Sequence, residues 1–329
     1  MGGPSAEREV SLVTGKAVFE NLDRKKYLST LVEMSKDGIF FIIEKKRSVS
    51  KDGTRRDFVK SKFNFLGLAK AKFDIVFIAM HGSPGEDGGV QGLLETLGVK
   101  YTGTGVLSSA LAMNKVFAAQ VYLANGLPHP DFVHFKRGGW KRSPDKIIND
   151  IVSKVGFPMI VKPVDQGSAV GVNKVRSHDE LKKVIEKTIK IFPWLMAQKF
   201  IRGKEATCGV LEKEGQVMAL PPTHILPNLG EFYDYKSKYA AGGSTHICPA
   251  DFGDIVNQQI QNLAIAAHKA LDCRGMSRTD IFVGDDKKLY ILETNTIPGM
   301  TPTSLFPEAA AKAGISFGKM LDYIIEASL

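Results

Sequence analysis

Hydrophobic and polar positions along these 329 residues fall into short blocks that alternate between two periods. Strand patterns occur at 27–34, 39–43 and 73–80, the last apolar nearly throughout, as strands buried on both faces of a parallel sheet are. Helical patterns occur at 6–18, 90–97, 108–125, 143–155, 179–190 and 255–271. Ser5 is expected to cap the first, and Ser143 the fourth, with Pro144 at its first position. The glycine turn at Gly2-Gly3-Pro4 would normally follow a strand, and no strand precedes it here. The polar stretch 45–63 is expected to be an irregular insertion. Strands alternating with helices predict an open parallel sheet whose ligands gather beyond the C-terminal strand ends, where His81 stands.

From residue 157 onward the pattern changes to hairpins. A strand at 157–163 carries Lys162 near its end and runs into the loop 164–172, which contains Ser168 and is expected to return as a strand. A loop of this kind, with exposed backbone N–H groups, can close over phosphates, and Lys162 would supply a point charge. A strand at 194–201, with Gln198 and Lys199, suits the lining of an adenine slot, with Glu205 accepting from ribose hydroxyls, and is explained equally well as a plain strand. The long polar and aromatic stretch 232–244 reads as a lid.

The most informative hairpin joins 277–283 to 289–295 through Gly284-Asp285-Asp286-Lys287. Pairing Val283 with Lys288 sets Arg278 opposite Glu293 and Asp280 opposite Ile291. Arg278, Asp280, Glu293 and Asn295 would then share one face, with Thr279, Ile281, Val283, Tyr290 and Leu292 on the other. Two carboxylates and an amide beside an arginine suit Mg²⁺ ions bridging a polyphosphate, with a cation for developing negative charge.

Composition narrows the picture. Hydrophobic residues make up 43% and charged residues 24%, as in ordinary globular proteins. The net charge of +9 is spread along the chain and its densest parts lack interleaved aromatics, so it favours small anionic substrates over nucleic acid. Three widely spaced cysteines form no disulfide framework or metal spacing, which fits a cytoplasmic protein. No apolar run is long enough to cross a bilayer, so no membrane partner is expected.

Four stretches, GGPSAEREVSL, HGSPGEDGGVQGLLE, KPVDQGSAVGV, and SRTDIFV with LETNTIPGMTPTSLFP, together resemble the D-alanine–D-alanine ligase family of the ATP-grasp superfamily over nearly the whole chain. The resemblance implies an N-terminal open parallel α/β domain followed by two α+β lobes clasping ATP, with boundaries at 1–103, 104–198 and 199–329. It implies that ATP phosphorylates one D-alanine, that the amine of a second attacks the acylphosphate, and that a tetrahedral intermediate loses phosphate, supplying peptidoglycan precursors. By motif, Glu7 would hold the first ammonium and His81 would lie near it. Lys115 and Lys162 would bind phosphates, Gln198 and Lys199 the base, and Glu205 the ribose. Asp280, Glu293 and Asn295 would hold two Mg²⁺ or Mn²⁺ ions, with Glu293 bridging. Arg278 and the Gly299 N–H would stabilise the oxyanion, and Ser304 and Leu305 would receive the second carboxylate. Lys238 and Tyr239 would belong to the lid, Tyr239 bonded to Ser168 and through it to Glu7. A homodimer is implied as well.

The chain departs from the family pattern at three places: Asn114 stands where Asp is usual, Gln198 where Glu is frequent, and Ala169 for a second serine. The competing expectations are a nucleotide-binding protein without turnover and a D-alanine–D-lactate ligase; Tyr239 speaks against the latter, whose members tend to carry Phe there.

Overall fold

The computed structural model describes residues 1–50, 53–63, 73–228, 243–301 and 303–329. The first part holds α1 (Arg8–Asn21), β1 (Leu31–Met34), β2 (Phe40–Ser50), β3 (Gly53–Phe63) and α2 (Gly89–Thr96). The middle holds α3 (Val106–Met113), α4 (Lys115–Ala124), β4 (Phe132–Lys136), α5 (Arg137–Arg142), α6 (Pro144–Lys154), β5 (Met159–Pro163), β6 (Asn173–Val175), α7 (His178–Ile191) and β7 (Trp194–Lys199). The last part holds β8 (Gly203–Lys213), β9 (Gln216–Ala219), β10 (Thr223–Pro227), β11 (Ser244–Ile247), α8 (Asp254–Ala270), β12 (Met276–Gly284), β13 (Leu289–Asn295), α9 (Leu305–Lys312) and α10 (Phe317–Glu326).

Three sheets follow the chain in order: β1-β2-β3, then β4-β7-β5-β6, then β11-β10-β8-β12-β13 with β9 on β8. Among the described residues of the first region, the parallel pairing is confined to two bridges, Gly2 with Met34 and Val76 with Tyr101. The segment 73–80 is therefore extended and buried at Ile78, Ala79 and Met80, without a continuous ladder. The stretch 45–63 is no irregular insertion: β2 and β3 pair residue for residue from Phe40 with Phe63 to Ser50 with Gly53. Asp52-Gly53 between alternating runs is a hairpin signal that its polarity obscured.

Other local expectations are corrected. Ser5 does not cap α1; Glu7 occupies that position, while the Ser5 hydroxyl donates to the His81 carbonyl at 2.6 Å and accepts from the Glu7 N–H. Ser143 precedes α6 with Pro144 at its first position, yet makes no side-chain cap bond. The single helix expected over 108–125 is two, α3 and α4, meeting at 103°. Asn114 causes the break: its side chain accepts from the Val116 and Phe117 N–H groups, an N-cap that starts a new helix. The strand expected to return directly from the loop 164–172 begins only at Asn173. No single helix among the described residues is long and apolar enough to cross a membrane.

The second and third sheets each pack one face against helices. The middle sheet packs Met159, Val161, Leu195 and Ala197 against Ile148 and Ile151 of α6 and Leu181 and Ile185 of α7. The last sheet packs Ala206, Cys208 and Ile281 against Ile260 and Ala264 of α8. Its opposite face meets α9 and α10, which share a core with Met34, Ile78 and Leu94 of the first region. What remains uncovered is the face of each lobe that looks into the cleft between them.

Candidate active site

The cleft between the second and third sheets encloses about 920 Å³, open solvent included. Strand alternation builds its walls. On β5, Met159 and Val161 enter the core, so Ile160 and Lys162 face the cleft. Gln198 is the cross-strand partner of Ile160 and shares that side. On the other wall, Glu205, Asp280, Phe282, Leu292 and Glu293 line the cleft. Lys115 and Lys199 complete the charged lining, so the predicted nucleotide residues Lys115, Lys162, Gln198, Lys199 and Glu205 come together in one place.

The β12–β13 hairpin differs from the expected register in an instructive way. Lys287 adopts a left-handed φ of +62°, and Gly284 rather than Val283 pairs with Lys288, which shifts the pairing by one. Val283 lies opposite Leu289, and Ile281 opposite Ile291. A bulge then takes up Leu292, and Asp280 lies directly opposite Glu293, with Arg278 opposite Asn295. The slip alone would have turned the acids to opposite faces; the bulge restores them to one. Ile291 goes into the core behind the sheet, and Leu292, expected on that side, lines the cleft instead.

The acids arrive already paired. Arg278 donates to both Asp280 oxygens, Nε and a terminal nitrogen each at 3.1 Å. The Thr207 hydroxyl donates to Asp280 Oδ1 at 2.6 Å, and the Asn295 amide approaches Oδ2 at 3.4 Å. Lys115 Nζ reaches Glu293 Oε2 at 3.0 Å and the Gln166 carbonyl at 2.7 Å, tying α4, the loop before β6 and the hairpin together. Among the described residues, Lys162 has no comparable carboxylate contact at its head. Burial, and then the charge of Lys115, lower its pKa to about 8 against the pull of Glu293.

A second cluster lies where the first region meets the loop 164–172. Ser168 Oγ donates to Glu7 Oε1. Ser168 and Ala169 both hold left-handed φ, +50° and +57°, costly for residues with a Cβ and consistent with a functional constraint. A Cβ on Gly167 would stand 3.2 Å from Glu7 Oε2, a tight contact that the Glu7 carboxylate would have to shift by a few tenths of an ångström to relieve. His81 is buried, its Nε2 3.0 Å from the Thr14 hydroxyl, and burial depresses its pKa. Glu86, not singled out from the sequence although it lies within the HGSPGEDGG stretch, is half-buried near Glu7 and accepts from the Gly82 N–H at 2.6 Å. Burial first, then the Glu7 charge, push its pKa up to about 8, so it carries a proton at neutral pH. Thr207 was likewise missed, since nothing in its strand pattern marks it as the donor to Asp280.

Ser304 stands at the N-cap of α9 in extended conformation and Leu305 begins the helix. Ser304 Oγ accepts from the Thr301 N–H at 3.0 Å, and a Cβ on Gly299 would stand 2.9 Å from that Oγ. Lys238 and Tyr239, with the lid they were assigned to, lie outside the described residues.

Two α+β lobes, each presenting one sheet face to a cleft lined by lysines and a carboxylate pair, define the ATP-grasp class. The comparisons narrow this further. The model of the D-ala D-ala ligase C-terminus matches residues 121–326, and that of the D-ala D-ala ligase N-terminus matches residues 1–104. The chain is 42% identical to a D-alanine–D-alanine ligase of Syntrophobacter fumaroxidans, over 100% of this chain and 96% of that one. It is 39% identical to one from Leptospira interrogans, over 100% and 96%. Among solved structures, it is similar to the VanG D-Ala:D-Ser ligase of Enterococcus faecalis, with a TM-score of 0.83 and 29% identity over 100% and 98% of the two chains. The D-alanine–D-alanine ligase of Bacillus anthracis complexed with ATP gives 0.76 and 29%, over 99% and 94%. The chain belongs to the D-alanine–D-alanine ligase family.

Proposed function

We propose that the protein joins two D-alanines to D-alanyl-D-alanine, with ATP converted to ADP, for peptidoglycan precursor synthesis. One observation carries the reading: Asp280 and Glu293 oppose each other across one hairpin at the mouth of a lysine-lined cleft. Full-length identity of 42% with a dipeptide-forming relative favours this over nucleotide binding without turnover and over D-alanine–D-lactate ligation.

The donor set suits Mg²⁺ or Mn²⁺. Among the described residues no three His, Cys, Asp or Glu side chains form a self-contained metal cluster. Two carboxylates and the Asn295 carbonyl oxygen are what an ion of this kind uses when phosphate oxygens complete its shell. Two ions held by Asp280, Glu293 and Asn295 would neutralise the polyphosphate and favour in-line transfer of its terminal phosphoryl group. Lys115 would move from Glu293 toward a phosphate as the metals take over that carboxylate, while Lys162, buried at the cleft base, would hold a phosphate oxygen.

At the base end, His129 Nδ1 lies 2.8 Å from the Pro130 carbonyl and its Nε2 3.2 Å from the Gln198 amide nitrogen. An Nδ1–H tautomer therefore accepts from Gln198 and leaves the Gln198 carbonyl oxygen for an amino group on the base. Lys199 and the strand backbone would flank the base, and Glu205 would take the ribose hydroxyls. Glu7, held by Ser168, would receive the first D-alanine's ammonium, with neutral His81 and protonated Glu86 beside it, so that the pocket carries one negative charge for one positive one. Arg278 and the Gly299 N–H would face the oxyanion of the tetrahedral intermediate, and the N–H groups of Ser304 and Leu305 the second carboxylate. Tyr239 and Lys238 would close over the site. Three domains divided at 103/104 and 198/199 follow the order of the sheets, except that β7 ends at Lys199, one residue beyond the second boundary. The same reading includes a cytoplasmic homodimer.

Replacing Glu293 with glutamine tests it. The variant keeps shape but loses the charge between two cations, and its kcat should fall at least about a hundredfold. Near-normal turnover would refute the metal assignment.

A further inference from the structure

His246 sits on β11, the outer strand of the last sheet, away from the cleft residues considered so far. Cross-strand pairing fixes which way it faces. His246 lies opposite Ile225, Ile225 opposite Glu205, and Glu205 opposite Phe282, one row across four strands. Directly opposed residues share a face, so His246 projects on the same side as Glu205 and Phe282, the side covered further along by α9. Its ring is engaged at both nitrogens. Nδ1 stands 3.1 Å from Glu308 Oε2, and Nε2 3.1 Å from the Ser244 hydroxyl.

Glu308 belongs to the first turn of α9 and its N–H donates to the Ser304 carbonyl at 3.1 Å. It is thus one turn from the Ser304 and Leu305 N–H groups. A carboxylate there is favoured by the helix dipole, but it also cancels part of the positive potential an incoming carboxylate would use. The pair is only partly exposed, 20% for the histidine and 31% for the glutamate, so water screens it incompletely. Lys312, one turn further on, is the other charged side chain on this helix.

We propose that His246 is a positioning residue for the second amino acid: by donating to Glu308 it draws that charge toward the sheet edge and fixes the first turn of α9, leaving the helix N-terminus free to take the substrate carboxylate. This rests on the reading that the second carboxylate binds at Ser304 and Leu305.

The test is steady-state kinetics of ADP release against D-alanine, fitted to two KM values, with ATP KM measured separately. Leu305→Pro first identifies the second subsite. Proline is tolerated at the first helical position and the extended Ser304 suits a following proline, so relative to Leu305→Ala, which loses the same buried side chain, the variant removes one N–H. It should raise one KM. His246→Gln should raise the same KM about fivefold, with the other KM, ATP KM and kcat within about twofold. In the double variant His246→Gln with Glu308→Gln, that KM should return toward the parental value, because no carboxylate remains to be offset. If Leu305→Pro shifts a KM and His246→Gln does not, the inference fails while the subsite reading stands. If His246→Gln lowers kcat and raises every KM together with a loss of Tm, the histidine is merely structural and the inference fails. If a folded Leu305→Pro protein, judged by unchanged Tm, leaves both KM values unmoved, the subsite reading fails and takes the inference with it.

Discussion

Burial governs what individual charged side chains in the cleft can do. Lys162 is held at the base of the cleft with its pKa lowered to about 8, by desolvation first and Lys115 second. A polyphosphate would repay that desolvation, so Lys162→Ala should weaken ATP binding more than any later step. ATP KM should rise roughly tenfold or more, the worth of a charge-assisted hydrogen bond; an unchanged ATP KM and kcat would contradict the assignment. His129 gives a pH prediction with a definite sign. Burial, and then Lys162, lower its pKa to about 3 against an ordinary 6.5. The unfolded chain then takes up a proton that the folded one refuses, so this contribution to stability is complete above about 6.5 and is lost as pH falls toward 3, by up to about 1.4 kcal/mol per pH unit. Tm measured from pH 7 to 5 should therefore fall more steeply for the parent than for His129→Gln, and parallel curves would count against a buried neutral imidazole. Glu86 acts in the opposite sense. Its carboxyl is held protonated up to about 8, so its contribution is present below about 4.5 and lost as pH rises toward 8.

At the scale of elements, the β12–β13 hairpin shows what was legible and what was not. The alternation of Arg278, Asp280, Glu293 and Asn295 was enough to predict one shared face, and the structure has that face. The register was not legible, because it depends on Lys287 entering the left-handed region and on a bulge at Leu292, and neither leaves a mark in a period-two pattern. Deleting Leu292 should therefore remove the bulge and still leave Asp280 opposite Glu293, because the pair Ile281 with Ile291 is then followed directly by Asp280 with Glu293. A folded deletion variant should keep turnover within about tenfold, losing only the place of Leu292 in the cleft lining; turnover reduced at least about a hundredfold would mean that cross-strand pairing alone does not align the acids. The break at Asn114 was hidden for a related reason. The apolar pattern runs through it, and only the side chain's capping of the Val116 and Phe117 N–H groups shows that Lys115 begins a helix aimed at Glu293. The polar composition of 45–63 misled in the other direction, since the pairing of β2 with β3 is carried by backbone register and leaves little apolar signal in the sequence.

At the scale of the molecule, several of the contacts that join the three regions gather around the hairpin and the cleft beside it. Tyr122 of α4 donates to Thr294 at 2.8 Å, and Thr294 lies 3.0 Å from Thr279, so the middle lobe grips the back of the acid-bearing strands. Arg274 bonds the carbonyls of Gly103 and Tyr101, anchoring the first region to the approach to β12. Ser168 and Glu7 close the third side. The order of sheets and the location of the cleft were readable from motif order, whereas the residues that join the lobes, Tyr122 and Arg274 among them, were not, because their partners lie more than 170 positions away. The central claim is that this convergence serves phosphoryl transfer to an amino acid followed by peptide bond formation. Incubating the purified protein with ATP, Mg²⁺ and D-alanine, and counting ADP and dipeptide together, tests it most directly. Equal amounts of ADP and D-alanyl-D-alanine, with little ADP when L-alanine or D-lactate replaces D-alanine, are the predicted result. Bound ATP with no ADP released, or ADP released without dipeptide, would contradict it.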